Sequence, residues 1–152
     1  MDREVLITVS GVLFTGDGEK EKDSVDIISP GQYYLRNGKH YLLYEEMVEE
    51  YPEPVKNILK ISPDHVSLRK NGVISTEMRF EEGKNTQSHY STPFGVLALG
   101  IHTSRIHLEE SGGEMNLDIE YGLEINYEHA SENRLRIRVQ PKGPDSGFSL
   151  RS

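Results

Sequence analysis

Glu114-Met115-Asn116-Leu117-Asp118-Ile119-Glu120-Tyr121-Gly122-Leu123-Glu124-Ile125-Asn126-Tyr127-Glu128 decides the fold. Its odd positions are Met, Leu, Ile, Tyr, Leu, Ile and Tyr, while its even positions are acidic, amide or glycine. A period of two over this length is a strand with one buried face, and it exceeds the usual five or six residues. Strands this long and half-buried belong to barrels and strongly coiled sheets. The next segment, Arg134 to Gln140, repeats the pattern in the opposite charge, with Leu135, Ile137 and Val139 between Arg134, Arg136 and Arg138. A hairpin folded across 129–133 would set Tyr127 against Leu135, Ile125 against Ile137 and Leu123 against Val139. Glu128 would then meet Arg134 and Glu124 would meet Arg138 on the outer face.

Working outward, two Asn-Gly pairs mark further hairpins. Asn37-Gly38 suits a two-residue type I′ loop that pairs Tyr33 with Leu42 and Leu35 with His40, with Tyr33, Leu35, Leu42 and Tyr44 inward. Around Asn71-Gly72 the same loop would mix polar and apolar faces. A three-residue loop, Lys70-Asn71-Gly72 with Gly72 in a left-handed bulge, sets Leu68 opposite Ile74 and Val66 opposite Thr76. Further strands are expected at 3–14, 24–29 (ending before Pro30), 57–62, 87–91 and 94–107. The last contains Val96-Leu97-Ala98-Leu99-Gly100-Ile101, apolar on both parities, and Gly95 and Gly100 point to a bulge there. The sum is an all-β, closed or nearly closed antiparallel barrel of about 8–10 strands. Residues 1–140 are expected to form one domain and 141–152 a mobile tail, with 16–23 a charged loop and 45–56 a longer connection containing a short helical turn.

Composition narrows function by exclusion. The chain has 152 residues, enough to bury roughly 70% of its unfolded surface without staples. It has no cysteine, so thiolate chemistry is absent and a reducing cytoplasmic setting is expected. The net charge of −8 argues against nucleic acid and against an anionic membrane surface. The six histidines form no His-x-His or His-x3-His pair, so no metal and no cofactor are expected. Asp118, Glu120 and Glu124 share a face that arginines complement, which reads as a solvated exterior ladder rather than a catalytic carboxylate pair. No catalytic residue is assigned.

Tyr33, Tyr44, Tyr121 and Tyr127 fall on inward faces, and a buried phenol needs a hydrogen-bond partner. One reading seats each hydroxyl in water at a barrel end; the other gives the barrel an internal site for a small, partly apolar molecule. The residues expected to line it are Tyr33, Tyr44, Met78, Tyr90, Thr92, Thr103 and Tyr121. The alternative is a protein-interaction or regulatory module acting through an exposed strand edge or the 45–56 loop.

The order Gly38-x-x-Tyr41-x-x-Tyr44-Glu45-Glu46, then Lys70-Asn71-Gly72 with Met78 and Phe80, then Tyr90-Ser91-Thr92-Pro93-Phe94-Gly95-Val96 and Thr103, is followed by Leu117-x-Ile119-x-Tyr121-x-Leu123 and Asn133-x-Leu135-x-Ile137. This pattern resembles the YwiB-like family of uncharacterised bacterial proteins, the DUF1934 group, over roughly residues 3 to 140. The resemblance implies a calycin-like β-barrel and no established activity. The lipocalin Gly-x-Trp signature is absent, since the chain has no tryptophan.

Overall fold

The computed structural model describes residues 2–14 and 21–142, with side chains described for 3–11 and 26–142. The expected tail beyond Lys142 and most of the 16–23 loop lie outside the described residues. Ten strands follow one another: β1 Asp2–Phe14, β2 Glu21–Arg36, β3 Lys39–Glu46, β4 Val55–Ile61, β5 Val66–Asn71, β6 Ser75–Phe80, β7 Asn85–Thr92, β8 Gly95–Ser111, β9 Glu114–Ile125 and β10 Glu128–Pro141. Each pairs antiparallel with its neighbour in sequence, and β1 closes on β10. The chain is an all-β closed barrel, and its described part leaves no edge strand for another chain to extend.

Alternation explains the core. Val5 and Ile7 on β1, Leu42 on β3, Leu59 on β4, Phe80 on β6, Ile119 on β9 and Ile137 on β10 have essentially no contact with water. Burying such side chains contributes about 1.5–3 kcal/mol each. They fill the middle of the barrel and one half of its length.

The face assignments hold in the strands, while several registers differ. In the last hairpin Ile137 faces Leu117, Leu135 faces Ile119 and Arg134 faces Glu120. The turn is Asn126-Tyr127, with φ of 51° and 72°, so Tyr127 is an exposed turn residue and not an inward phenol. Register slips by eight residues along β9, an even number, so inside still meets inside and acid still meets base. Asp118 receives two hydrogen bonds from Arg134, at 3.1 and 2.9 Å, and Glu114 receives one from Arg138.

The Asn37-Gly38 hairpin has the expected pairing, with φ of 51° and 75°, although Leu35 near its tip is exposed. The Asn71-Gly72 loop does not. Val66 faces Phe80 and Leu68 faces Met78, four residues further along β6. Gly72 has φ 157°, far from a left-handed bulge, and a Cβ there would lie 3.1 Å from the Val55 Cα. The positive φ, which L side chains rarely adopt, and the close approach of the Val55 backbone together demand this glycine.

Strand β2 runs through Pro30, where an end was expected. The β2–β3 ladder begins at Gly31–Tyr44, so no β3 residue beside Pro30 needs its missing N–H. The bulge in β8 falls between Thr103 and Arg105 rather than at Gly95 or Gly100, and it turns Ile106 and Leu108 towards the core. Gly100 is instead covered from outside by the flexible Glu124 side chain, whose Oε1 lies 2.9 Å from where a Cβ would stand. Pro141 ends β10 opposite Val5, so the ordered barrel reaches one residue into the expected tail. The connection 47–54 contains a turn closed by the Tyr51 N–H on the Val48 carbonyl, not a helix.

One seam departs from ladder pairing. Strands β6 and β7 pair only at Ser75–Ser91 and Thr76–Tyr90. Beyond these, Thr86 Oγ1 donates to the Arg79 carbonyl and Ser88 Oγ to the Glu77 carbonyl, each at 2.6 Å, while Thr76 Oγ1 donates to the His89 carbonyl.

Candidate functional site

Antiparallel register brings a row of inward polar side chains into line across five strands. Tyr44 faces Asn57, Asn57 faces Lys70, Lys70 faces Thr76 and Thr76 faces Tyr90. All occupy the parity that elsewhere carries Leu42, Leu59, Leu68 and Phe80. The belt sits towards the end of the barrel that carries the 47–54, 72–74 and 126–127 turns and the β7–β8 tip at Pro93-Phe94.

Lys70 is held inside by two acceptors, Glu46 Oε1 at 2.8 Å and Asn57 Oδ1 at 2.9 Å. Its side chain is only 16% exposed. The Asn57 amide donates back to Glu46 Oε1 and to the Val55 carbonyl, both at 3.3 Å. A buried ion pair persists only when its hydrogen-bonding capacity is filled, and Asn57 supplies that third partner.

Tyr44 is raised far above the ordinary phenol range by burial, with the Glu46 carboxylate adding to it. Tyr90 is raised by burial, then by Glu46 and by Tyr121. Burial raises Tyr121 too, opposed by a side-chain hydrogen bond with Asn133. Tyr121 also packs edge-on against Phe80, with centroids 5.0 Å apart. All three phenols are therefore neutral hydrogen-bonding groups at physiological pH. Asn133, opposite Tyr121, has its Oδ1 buried without a hydrogen-bond partner among the described residues, as does Thr103 Oγ1. Beyond the belt the inner wall is apolar and half-buried, through Val9, Leu97, Leu123, Ile125 and Leu135.

Of the residues expected to line an internal site, Tyr44 and Tyr90 both lie within reach of the Glu46 carboxylate, and Tyr90 lies near Tyr121. Thr103 faces inward beside Tyr121 and is fully buried. Met78 lies one inward position below Thr76 and packs into the core. Thr92 is not an internal contact: its Oγ1 donates to the Gly95 carbonyl and accepts from the Phe94 N–H, which fixes the β7–β8 tip. Tyr33 belongs to the opposite half. Its hydroxyl meets His40 Nδ1 at 2.7 Å, its ring lies under the Arg3 guanidinium, and burial, then Glu110, raises its pKa while Arg3 opposes them.

Glu46, Asn57, Lys70, Thr76 and Asn133 were not among the residues expected to line an internal site. Their signal was a polar residue on the apolar parity, as in Val55-x-Asn57-x-Leu59 and Val66-x-Leu68-x-Lys70. Placing Lys70 in the turn removed it from that parity.

Among the described residues no group of three His, Asp or Glu side chains gathers as metal ligands, and no helix is long and apolar enough to cross a membrane.

The fold and the belt define a small ten-strand antiparallel barrel with a packed core and a polar inner ring towards one end. The chain belongs to the DUF1934 family, a domain of unknown function whose sequence pattern matches residues 7–137. It is 30% identical over 124 residues to the uncharacterised β-barrel protein YwiB of Bacillus subtilis strain 168, covering 82% of this chain and 84% of that one. The crystal structure of the ywiB protein from Bacillus subtilis superposes with a TM-score of 0.80 at 23% identity, over 93% of this chain and 94% of the other.

Proposed function

We propose that this barrel binds a small, partly apolar molecule at the belt end of its interior. The observation that carries the reading is the row Tyr44, Asn57, Lys70, Thr76 and Tyr90, five polar residues on core-facing positions beneath an apolar, half-buried wall. Polar side chains at that depth cost stability unless they hydrogen-bond, and Asn133 Oδ1 retains an unused acceptor beside them. The combination suits a ligand with an apolar body against Leu97, Leu123 and Leu135 and a hydrogen-bonding head towards the phenols. The role is binding rather than catalysis, and the setting proposed for it is the bacterial cytoplasm.

Native mass spectrometry of the protein purified from its own host tests this. The expected result is an adduct of small-molecule mass on the wild type, lost from Leu97→Trp, whose larger side chain fills the wall beside Tyr90. A bare wild-type mass, or an adduct equally retained by a folded Leu97→Trp variant, overturns the proposal.

A second reading places a protein partner on the same end. It is favoured by Met47, Phe94, Val96 and Tyr127, all exposed, with Phe94 93% accessible. Under that reading Phe94→Ser and Tyr127→Ser would abolish partner capture without touching the small-molecule adduct.

A further inference from the structure

The outer wall of β2 to β6 carries a concavity of about 510 Å³, on the opposite face of the sheet from the belt. Two adjoining outer rows build it. In one, Tyr34 faces Tyr41, Tyr41 faces Lys60 and Lys60 faces Ser67; in the other, Leu43 faces Ile58 and Ile58 faces Arg69, which faces Glu77. Tyr34, Tyr41, Leu43, Ile58 and Lys60 are all half-buried, and together they line an open surface groove of ligand size.

Its charge runs against that of the chain. Acidic residues outnumber basic ones by 25 to 17, yet the lining holds Arg36, Lys60 and Arg69 against Glu77 alone. Glu77 lies 3.5 Å from Arg69, and both are well exposed. Lys60 and Arg36 make no ion pair among the described residues. Arg36 rests over the Tyr34 ring at 5.4 Å from its centroid. The groove therefore offers Tyr41, Leu43 and Ile58 as an apolar floor beside the Arg36-covered Tyr34 ring, with surplus positive charge at its rim.

We propose that this groove is a second binding site, for a small planar ring bearing an anionic group, an aryl phosphate or aryl carboxylate. The ring lies on Tyr41, Leu43 and Ile58, and the anion meets Lys60 and Arg69. A free inorganic anion would use only the rim, and a neutral ring only the floor, so both parts are needed.

Amide-resolved NMR titration of the full chain decides it, with 1-naphthyl phosphate and 1-naphthoate as ring-bearing anions and 1-naphthol and inorganic phosphate as halves. Saturable shifts are expected at 34–36, 41–43, 58–60 and 67–69 with either ring-bearing anion, the tighter of the two identifying the preferred acid. Each half should bind at least about tenfold more weakly, the effect of about one lost contact. Lys60→Gln and Arg69→Gln should each weaken binding by about fivefold, as for partly exposed charge pairs, and added salt should do the same. Shifts confined to the barrel end, equal binding of inorganic phosphate, or full affinity in the Lys60→Gln/Arg69→Gln double variant overturns the proposal.

Discussion

Ile137 and Leu117 stand directly opposite each other on β10 and β9, each about 2% exposed, and truncating either to alanine should open a cavity in the packed half of the barrel. Each single change is expected to cost about 2–5 kcal/mol through lost transfer energy and unfilled space. Directly opposed side chains on one face sit roughly 5 Å apart at Cβ, so the two cavities merge in the double variant. The coupling should then be about 0.5 kcal/mol or more. Ile125 provides the control. It lies eight residues further along β9, on the order of 27 Å away at the strand rise, and pairs with Leu99 rather than Ile137. Ile125→Ala combined with Ile137→Ala should be additive within about 0.5 kcal/mol. Urea melts of the three single and two double variants, fitted with a common slope, measure both cycles. Coupling between Ile125 and Ile137, with additivity between Leu117 and Ile137, would refute the short Asn126-Tyr127 turn and restore the wider loop across 129–133.

Two more outcomes follow from particular sites. Gly72→Val and Gly72→Asn should both destabilise by about 1 kcal/mol or more, because the φ of 157° is one that L side chains rarely adopt and any Cβ also meets the Val55 backbone; a tolerated asparagine in thermal melts would mean a left-handed turn. Asp118 is held below the usual carboxylate range, first by its hydrogen bonds from Arg134 and then by the charges of Arg134, Arg136 and Arg105, with desolvation opposing. Its contribution is fully present above its unfolded pKa of about 4 and is lost as pH falls through the lower folded value. Asp118→Asn should therefore cost about 1 kcal/mol or less at pH 7, since the cluster is partly exposed, and should flatten the loss of stability as pH falls below about 4. Equal acid sensitivity of the variant and wild type would show that the pairing contributes nothing.

Alternation made the barrel and the facing of nearly every strand legible, because Leu117, Ile119, Ile137 and Val139 can be buried together in only one parity. Register was legible only where a turn declared itself. Asn37-Gly38 adopts the left-handed pair that its composition favours. Asn126-Tyr127 adopts the same backbone with no glycine to announce it, and Gly72 is needed both for its own positive φ and for the close approach of β4. A slip of four or eight residues leaves every face unchanged, so hydrophobic patterning carries no information about it. The belt was half legible for the same reason. Tyr44 and Tyr121 stand out as large inward residues, whereas joining Tyr44 to Asn57, Lys70, Thr76 and Tyr90 requires the pairing of five strands at once.

A closed barrel is a hoop, and a hoop yields where its weakest link lies. Between β6 and β7 the lower link is made by two hydroxyls, Thr86 on the Arg79 carbonyl and Ser88 on the Glu77 carbonyl. Each is worth about 0.5–1.5 kcal/mol net, and each is released by rotating one short side chain rather than by peeling a strand. The other neighbouring pairs share longer backbone ladders. Widening the wall beside Met78 and Phe80 therefore costs less than lifting any neighbouring strand.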